Sequence, residues 1–310
     1  MPTKKKSPDR LSLSLPATSA NLGPAFDAAA LAMDFYLKLE ARPAAKFSIK
    51  ATGRDRAICQ AVEDHLILNT YREVVQAEER EVTSLALRIR NDIPIGKGCG
   101  SSAAARLAGI ALAIHFGRLR WSDARIVGEA SRREHHPDNA SACWMGGLTV
   151  ARMSGDSEAQ VIGLHPKGKW PLLLAVPEQS LSTEAARRVL PAEYARADAV
   201  MNVQNSMLLL AAFTQGRPDL LAAALADRIH QPYRAALCPL LPCLQKLTAT
   251  KGILGVALSG AGPSVLIFLD YRVPAQKTRR KVASHLAQAG LSAELISTSI
   301  SLQGGNRAKL

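Results

Sequence analysis

Pro94-Ile95-Gly96-Lys97-Gly98-Cys99-Gly100-Ser101-Ser102-Ala103-Ala104 stands between two stretches of opposite character. Before it, residues 84–93 alternate apolar and polar side chains, the period of a half-buried strand. After it, residues 102–116 are Ala-rich and apolar over a length too great for a strand, which predicts a largely buried helix. Gly96, Gly98 and Gly100 permit backbone angles closed to other residues and let the chain approach a ligand closely. The helix start leaves N–H groups unpaired and presents the positive end of the helix dipole. Together these make an anion site suited to phosphates. Alone, the segment fits a plain glycine-rich turn with Ser101 as N-cap equally well. It matches neither G-x-x-x-x-G-K-S/T nor G-x-G-x-x-G, because no Ser or Thr follows Lys97 directly and the glycines fall at 96, 98 and 100.

Upstream, Leu11-Ser-Leu-Ser-Leu15 alternates strictly, so it reads as a strand, and residues 47–52 read as another. Residues 63–80 have helical spacing between them and the glycine loop. Downstream, 122–133 opens like a capped helix, and 146–153 is a strand after a Gly-Gly turn. Residues 161–162 and 171–176 predict strands, and 183–190, 192–215 and 218–228 predict helices. A strand pair at 255–259 and 265–269 flanks Gly260-Ala-Gly-Pro263. A helix over 274–290, a last strand over 293–298 and a disordered tail after Gly304 complete the pattern. Strands and helices mix without regular βαβ alternation, which predicts an α+β fold in two layers. At 310 residues the chain suits two domains. The polar Ser154-Gly-Asp-Ser157 marks the boundary, giving domains 1–155 and 156–310.

The net charge of +13 admits nucleic acid, an anionic membrane or an anionic small substrate as partner. Lys4-Lys5-Lys6 has a disordered-tail composition, and Lys277, Arg279, Arg280 and Lys281 read as a solvated helix face. Aromatic residues are only 5% of the chain, too few for a base-stacking surface, and no nucleic-acid motif is present. No stretch reaches the roughly 20 apolar residues of a membrane span, and the N-terminus lacks a signal-peptide h-region. The five cysteines are odd in number and hold no C-x-x-C pair, against a disulfide framework or a zinc site. A reducing, cytoplasmic setting is the expectation.

Two further segments carry glycine turns. Pro16-Ala-Thr-Ser-Ala-Asn-Leu-Gly23 leaves the first strand and leads to Asp27. Asn21 and Asp27 are polar groups suited to ligand recognition, although an isolated Asn and Asp in a loop are more often turn residues than ligands. Ser259-Gly-Ala-Gly-Pro263 joins two apolar strands, and by itself is also a tight turn.

In this order and spacing the three segments resemble the three motifs of the GHMP small-molecule kinases. The first is most similar to that of the homoserine kinase family. Glu134-His-His-Pro-Asp-Asn139, Ser182-Thr-Glu-Ala-Ala-Arg187 and His230-Gln-Pro-Tyr-Arg234 extend the likeness, which spans residues 11 to about 270. The resemblance implies an N-terminal ribosomal-protein-S5-like α/β domain and a C-terminal ferredoxin-like α+β domain. It implies ATP as phosphoryl donor, bound by residues 94–104 with Ser259, Gly260 and Gly262 beside them, and Mg²⁺ held by Ser102 and Glu134. It implies homoserine as acceptor, its carboxylate gripped by Arg187 and Arg234. Asn21, Asp27, His136, Asn139 and Thr183 would read the ammonium and hydroxyl, and a homodimer is a family expectation. Asn139 stands where some related kinases place an aspartate base, and an amide takes no proton at neutral pH. Catalysis would then rest on Asn139, Glu134 and Ser102 through positioning and charge neutralisation rather than a dedicated base.

The chain departs from the pattern at several positions. Ala25 and His135 stand where the family has glycine, Cys99 where it has leucine, and His65 near its adenine-side asparagine. Ala-Ser-Ala-Cys-Trp follows Asn139 in place of Val-Ala-Pro-Ala. A sister kinase with another small hydroxyl substrate and a non-catalytic nucleotide-binding relative are the alternative readings.

Overall fold

The computed structural model describes residues 10–310. The Lys4-Lys5-Lys6 run lies outside the described residues.

Among the described residues, ten strands form two sheets. The first contains β1 (Leu11–Ala20), β2 (Ala29–Pro43), β3 (Ser48–Gly53), β4 (Leu85–Asn91), β5 (Leu148–Met153) and β6 (Ala159–Leu164). The order is β3-β4-β2-β5-β6, with β1 hairpinned onto β2. The second contains β7 (Pro171–Val176), β8 (Ile253–Leu258), β9 (Val265–Leu269) and β10 (Glu294–Ser299) in the antiparallel order β10-β7-β9-β8. Counted within that half this is 4-1-3-2, the expected ferredoxin-like arrangement. The α+β class holds for the whole chain.

The helices are α1 (Arg56–Gln60), α2 (Leu66–Ala77), α3 (Ser101–Gly117), α4 (Asp123–Glu134), α5 (Asp138–Met145), α6 (Thr183–Arg188), α7 (Arg196–Gln215), α8 (Leu221–Ala224), α9 (Gln231–Arg234), α10 (Leu240–Gln245) and α11 (Ala275–Gln288). Helix α3 is buried along most of its length, as its Ala-rich composition predicts. None of the helices among the described residues is long and apolar enough to cross a membrane.

One core gathers the inner side of the first sheet, from Leu13, Leu15 and Leu39, with Leu107 of α3 and Trp144 of α5. It continues into one face of the second sheet through Leu172, Leu174, Leu266 and Phe268. The alternate residues Leu173, Val265 and Ile267 face a second core against Leu241 of α10 and Val282 of α11. A sheet covered on both faces explains why β7 reads as an unbroken apolar run.

The structure corrects the sequence reading in several places, among them the helix read over 218–228, which ends at Ala224. Ser154–Ser157 is the turn of the β5–β6 hairpin, so the first sheet runs on to Leu164 and the division at 155/156 cuts a strand pair. The segment after Gly304 is ordered: Gly305 is buried against Leu15 and Trp144, and no room remains there for a Cβ. Strand β2, at the centre of the first sheet, was not expected at all.

Candidate active site

The glycine loop leaves β4 through a local clamp. Asn91 accepts from the Ile93 N–H at 3.1 Å and donates to the Ile93 carbonyl at 2.9 Å. Gly96, Gly98 and Gly100 then take φ of 70°, 75° and 70°, the left-handed region that favours glycine. Gly100, not Ser101, is the N-cap of α3, and no side chain caps the helix. The first backbone N–H to bond back is that of Ala104, onto Gly100 O. The N–H groups of the first turn stay available to an anion, and the dipole end favours one.

The three glycine-bearing segments lock onto one another. Ser259 Oγ donates to Gly98 O at 2.7 Å. Gly260 N donates to Ala20 O, and Thr18 N to Cys99 O. A Cβ on Gly98 would lie 2.3 Å from Ser259 O and 2.6 Å from Gly262 O. Pro94, Cys99, Ala103 and Ala104 are buried beneath the loop. Burial pushes the Cys99 thiol up to about 12, so it stays protonated. Lys97 is half-buried and its ammonium donates to the Glu178 carbonyl, while Ile95 N donates to Asp55.

Ser102, on the first turn of α3, donates to Glu134 Oε1 at 2.6 Å, so the two expected metal ligands meet. Arg106 pairs with the same carboxylate oxygen. One carboxylate and one hydroxyl at the mouth of a phosphate loop fit a hard cation that keeps water and phosphate as its remaining ligands. His135 ends α4 at φ 67°, a conformation glycine adopts freely; histidine takes it here and Glu134 still reaches Ser102.

Beyond it, His136 Nδ1 lies 2.6 Å from Asp138 Oδ1, which also accepts from Asn139 N and Nδ2. Burial lowers the His136 pKa, but Asp138, Asp27 and Glu134 outweigh it and the net direction is upward. Asp27, His136 and Asp138 bring ligand atoms within 4.8 Å of one another, a small patch able to receive a cationic group.

The opposite wall is basic. Arg187 Nη2 pairs with Asp27 at 2.7 Å. Arg234 is buried at 1% exposure, its Nε donating to Ala186 O and its Nη1 to His230 Nδ1 at 3.1 Å. His230 Nε2 therefore carries the proton and donates to Gly23 O at 2.8 Å. Burial lowers the His230 pKa to about 4 and keeps the ring neutral. Burial, and then the Arg187 charge, lower the pKa of Arg234 too. A buried cation beside a second cation is a ready receptor for a carboxylate. Thr183 opens α6 behind the Ser182 cap and faces the same cleft.

One cleft of about 100 Å³ brings Asn21, Asp27, Ser102, Glu134, His136, Asn139, Thr183, Arg187 and Arg234 together with the glycine loop and Gly260 to Gly262. Pro94, Ile95, Lys97, Ala103, Ala104 and Ser259 do not line it, although Ile95 borders the neighbouring cavity. Asn21 is spent on the protein itself: its Nδ2 donates to Gly260 O at 2.9 Å and its Oδ1 accepts from Asp27 N at 2.9 Å. It ties the first segment to the third. Sequence reasoning missed Thr18, Phe26, Arg106 and His230. Three of these stand inside or beside quoted motifs, but Arg106 lies one helical turn beyond Ser102 and only the helix reveals it.

On the other side of the loop, a mostly apolar cavity of about 300 Å³ is lined by Leu37, Ile58, His65, Ile93 and Ile95 among others. The Nδ1 of His65 is buried there without a hydrogen-bond partner. Burial lowers the His65 pKa, so it stays neutral.

Residues 65–147 match the GHMP kinases N terminal domain and residues 209–288 the GHMP kinases C terminal domain. A homoserine kinase of Solibacter usitatus is 44% identical over 83% of this chain and 84% of its own. One of Synechocystis sp. is 35% identical over 96% of this chain and 98% of its own. The crystal structure of homoserine kinase from Cytophaga hutchinsonii superimposes with a TM-score of 0.81 at 22% identity, covering 98% of both chains.

Proposed function

Because the chain belongs to the homoserine kinase family of the GHMP kinases, we propose that it transfers the terminal phosphoryl group of ATP to the side-chain hydroxyl of L-homoserine. The observation that carries this reading is the single cleft in which an uncapped helix start faces two guanidiniums. One end takes phosphates and the other a carboxylate, which is the charge pattern of a nucleotide beside an amino acid.

The 94–104 loop holds the ATP phosphates through backbone N–H groups, and the base enters the apolar cavity beside His65. Ser102 and Glu134 would hold Mg²⁺, which when bound neutralises phosphate charge. Arg106 pairs with the Glu134 carboxylate and keeps it aimed. Arg187 and Arg234 take the amino-acid carboxylate, and Asp27 with the His136–Asp138 pair faces its ammonium. Thr183 and Asn139 flank the hydroxyl. The hydroxyl oxygen bonds to the γ-phosphorus as the bond to the β–γ bridging oxygen breaks, and ADP leaves with that electron pair. Proximity and charge neutralisation carry the rate, as a loose phosphoryl transition state permits. A cytoplasmic enzyme of amino-acid biosynthesis that works on small molecules alone completes the proposal.

The test is ADP release by the purified protein against homoserine, threonine, serine, mevalonate and shikimate. Release confined to homoserine supports the assignment. Release confined to a non-amino-acid alcohol overturns it.

A further inference from the structure

The hydroxyl of Thr18 is wholly buried and lies 2.6 Å from Asn139 Oδ1. An amide oxygen can only accept, so Thr18 is the donor. At the other end of the same amide, Nδ2 donates to Asp138 Oδ1 at 3.2 Å. Turning the amide over would place its oxygen against that carboxylate oxygen, two acceptors with no proton between them. The two contacts select one orientation. The carbonyl end of Asn139 is spent on Thr18, and the NH₂ keeps one hydrogen for the cleft that Asn139 lines.

Thr18 is itself held fast. It sits near the end of β1, where its N–H donates to Cys99 O at 3.0 Å. Gly100 passes directly over its hydroxyl: a Cβ there would lie 1.9 Å from Thr18 Oγ1 and 3.2 Å from Asn139 Oδ1. The phosphate loop and the Thr18–Asn139 contact are thus built as one unit.

We propose that Thr18 is a positioning residue for phosphoryl transfer, fixing Asn139 so that it offers its NH₂, and not its carbonyl, to the acceptor oxygen. This rests on the phosphotransfer reading given above. In this arrangement Asn139 steadies the attacking oxygen and the transferring phosphoryl oxygens as a hydrogen-bond donor. It takes no proton, so the acceptor's proton leaves on the transferred phosphoryl group. Without the Thr18 hydroxyl the amide oxygen loses its donor and only the Asp138 contact still orients the group, so the NH₂ is held less firmly toward the reacting groups.

The experiment is steady-state kinetics on Thr18→Val, Thr18→Ala, Thr18→Ser, Asn139→Ala and the Thr18→Val/Asn139→Ala double variant. Calorimetry of magnesium-ATP binding shows that each is folded. Thr18→Val, or Thr18→Ala should the valine variant not fold, is expected to lower kcat about 10- to 100-fold, the scale of a small misplacement at a reacting centre. KM for both substrates should stay within about threefold, as for a group used mainly in the transition state. Thr18→Ser should restore most of the rate. The double variant should be no slower than Asn139→Ala alone, because Thr18 acts only through the amide. A near-normal kcat without the hydroxyl, or losses that multiply in the double variant, overturns the proposal. If the wild-type protein phosphorylates none of the alcohols, the reading of function fails instead. The amide is then followed by ¹⁵N NMR, its NH₂ pair being identified by its absence in Asn139→Asp. A shift of that pair in Thr18→Val supports the contact, and no shift overturns it.

Discussion

Arg187 and Arg234 place their guanidinium carbons 5.4 and 5.3 Å from the centre of one ring, that of Phe26. Phe26 also stacks on His230 at 5.2 Å, so the aromatic residue of the first segment holds both cations of the opposite wall. A guanidinium over a ring gains attraction without having its charge neutralised by that contact, so the ring holds the two cations in place without cancelling their pull on an anion.

This arrangement makes the two arginines separable by experiment. Arg187 is partly exposed and its loss leaves no buried charge stranded. Arg187→Lys is expected to raise KM for the amino acid about tenfold, since an ammonium cannot reproduce the bidentate fork. KM for ATP should stay put. Arg234→Met should do the same and in addition lower stability by about 3 kcal/mol, the scale for breaking up a buried polar network. Substrate-dependent kinetics and chemical denaturation check the two halves.

Gly100→Ala meets Thr18 Oγ1 and a left-handed backbone together. A loss of about 2 kcal/mol or more is expected, with activity falling much further than stability because the same loop holds the phosphates. Gly155→Ala is the control. Nothing lies within 4 Å of a Cβ there, in the turn of the β5–β6 hairpin. Denaturation midpoints and kcat for both variants decide the matter.

Removal of a metal ligand should show as a shifted magnesium requirement. Glu134→Gln keeps the shape and a hydrogen-bond acceptor for Ser102 but loses the charge. Activity at saturating ATP is expected to fall about 100-fold, with half-maximal activity at higher magnesium. An unchanged magnesium titration would count against Ser102 and Glu134 as the cation site.

His230 links stability to acid. In the folded protein it stays neutral down to about 4, chiefly because it is buried. The unfolded chain binds a proton at this residue below about 6.5. Between those values the unfolded state holds more protons, so stability falls as pH drops and is fully present above about 6.5. The loss approaches about 3 kcal/mol by pH 4. His230→Asn, which retains a donor and an acceptor, should flatten this slope in denaturation curves taken from pH 7 to 4.

The architecture was readable in the sequence wherever one physical signal dominated. The Leu11–Leu15 alternation became the alternating burial of β1, and the Ala-rich run became α3. Strand β2 escaped because Ala29–Asp34 is buried on both faces over most of that stretch and lacks alternation, though Leu37-Lys-Leu-Glu-Ala41 does alternate. The Ser154–Ser157 turn has linker composition, and only hairpin pairing distinguishes it from a linker. Motif residues of the cleft were legible because each sits in a short recognisable string. Thr18 and Asn139 are 121 positions apart, and no local pattern announces that they touch.

The second sheet, packed on both sides, bears on how the molecule breathes. Leu172, Leu174, Leu266 and Phe268 share a core with Leu15 and Leu31. Prising the halves apart would expose several such side chains at about 1.5–3 kcal/mol each, which closes the route of a rigid-body hinge. Traffic of nucleotide and product then falls to the largely exposed span 178–195, fastened to the loop by Leu181 N on Gly96 O and by the Lys97 ammonium on Glu178. Opening there would break bonds at one rim, these two together with Arg187 on Asp27 and Arg234 on Ala186 O, while the two halves stay packed.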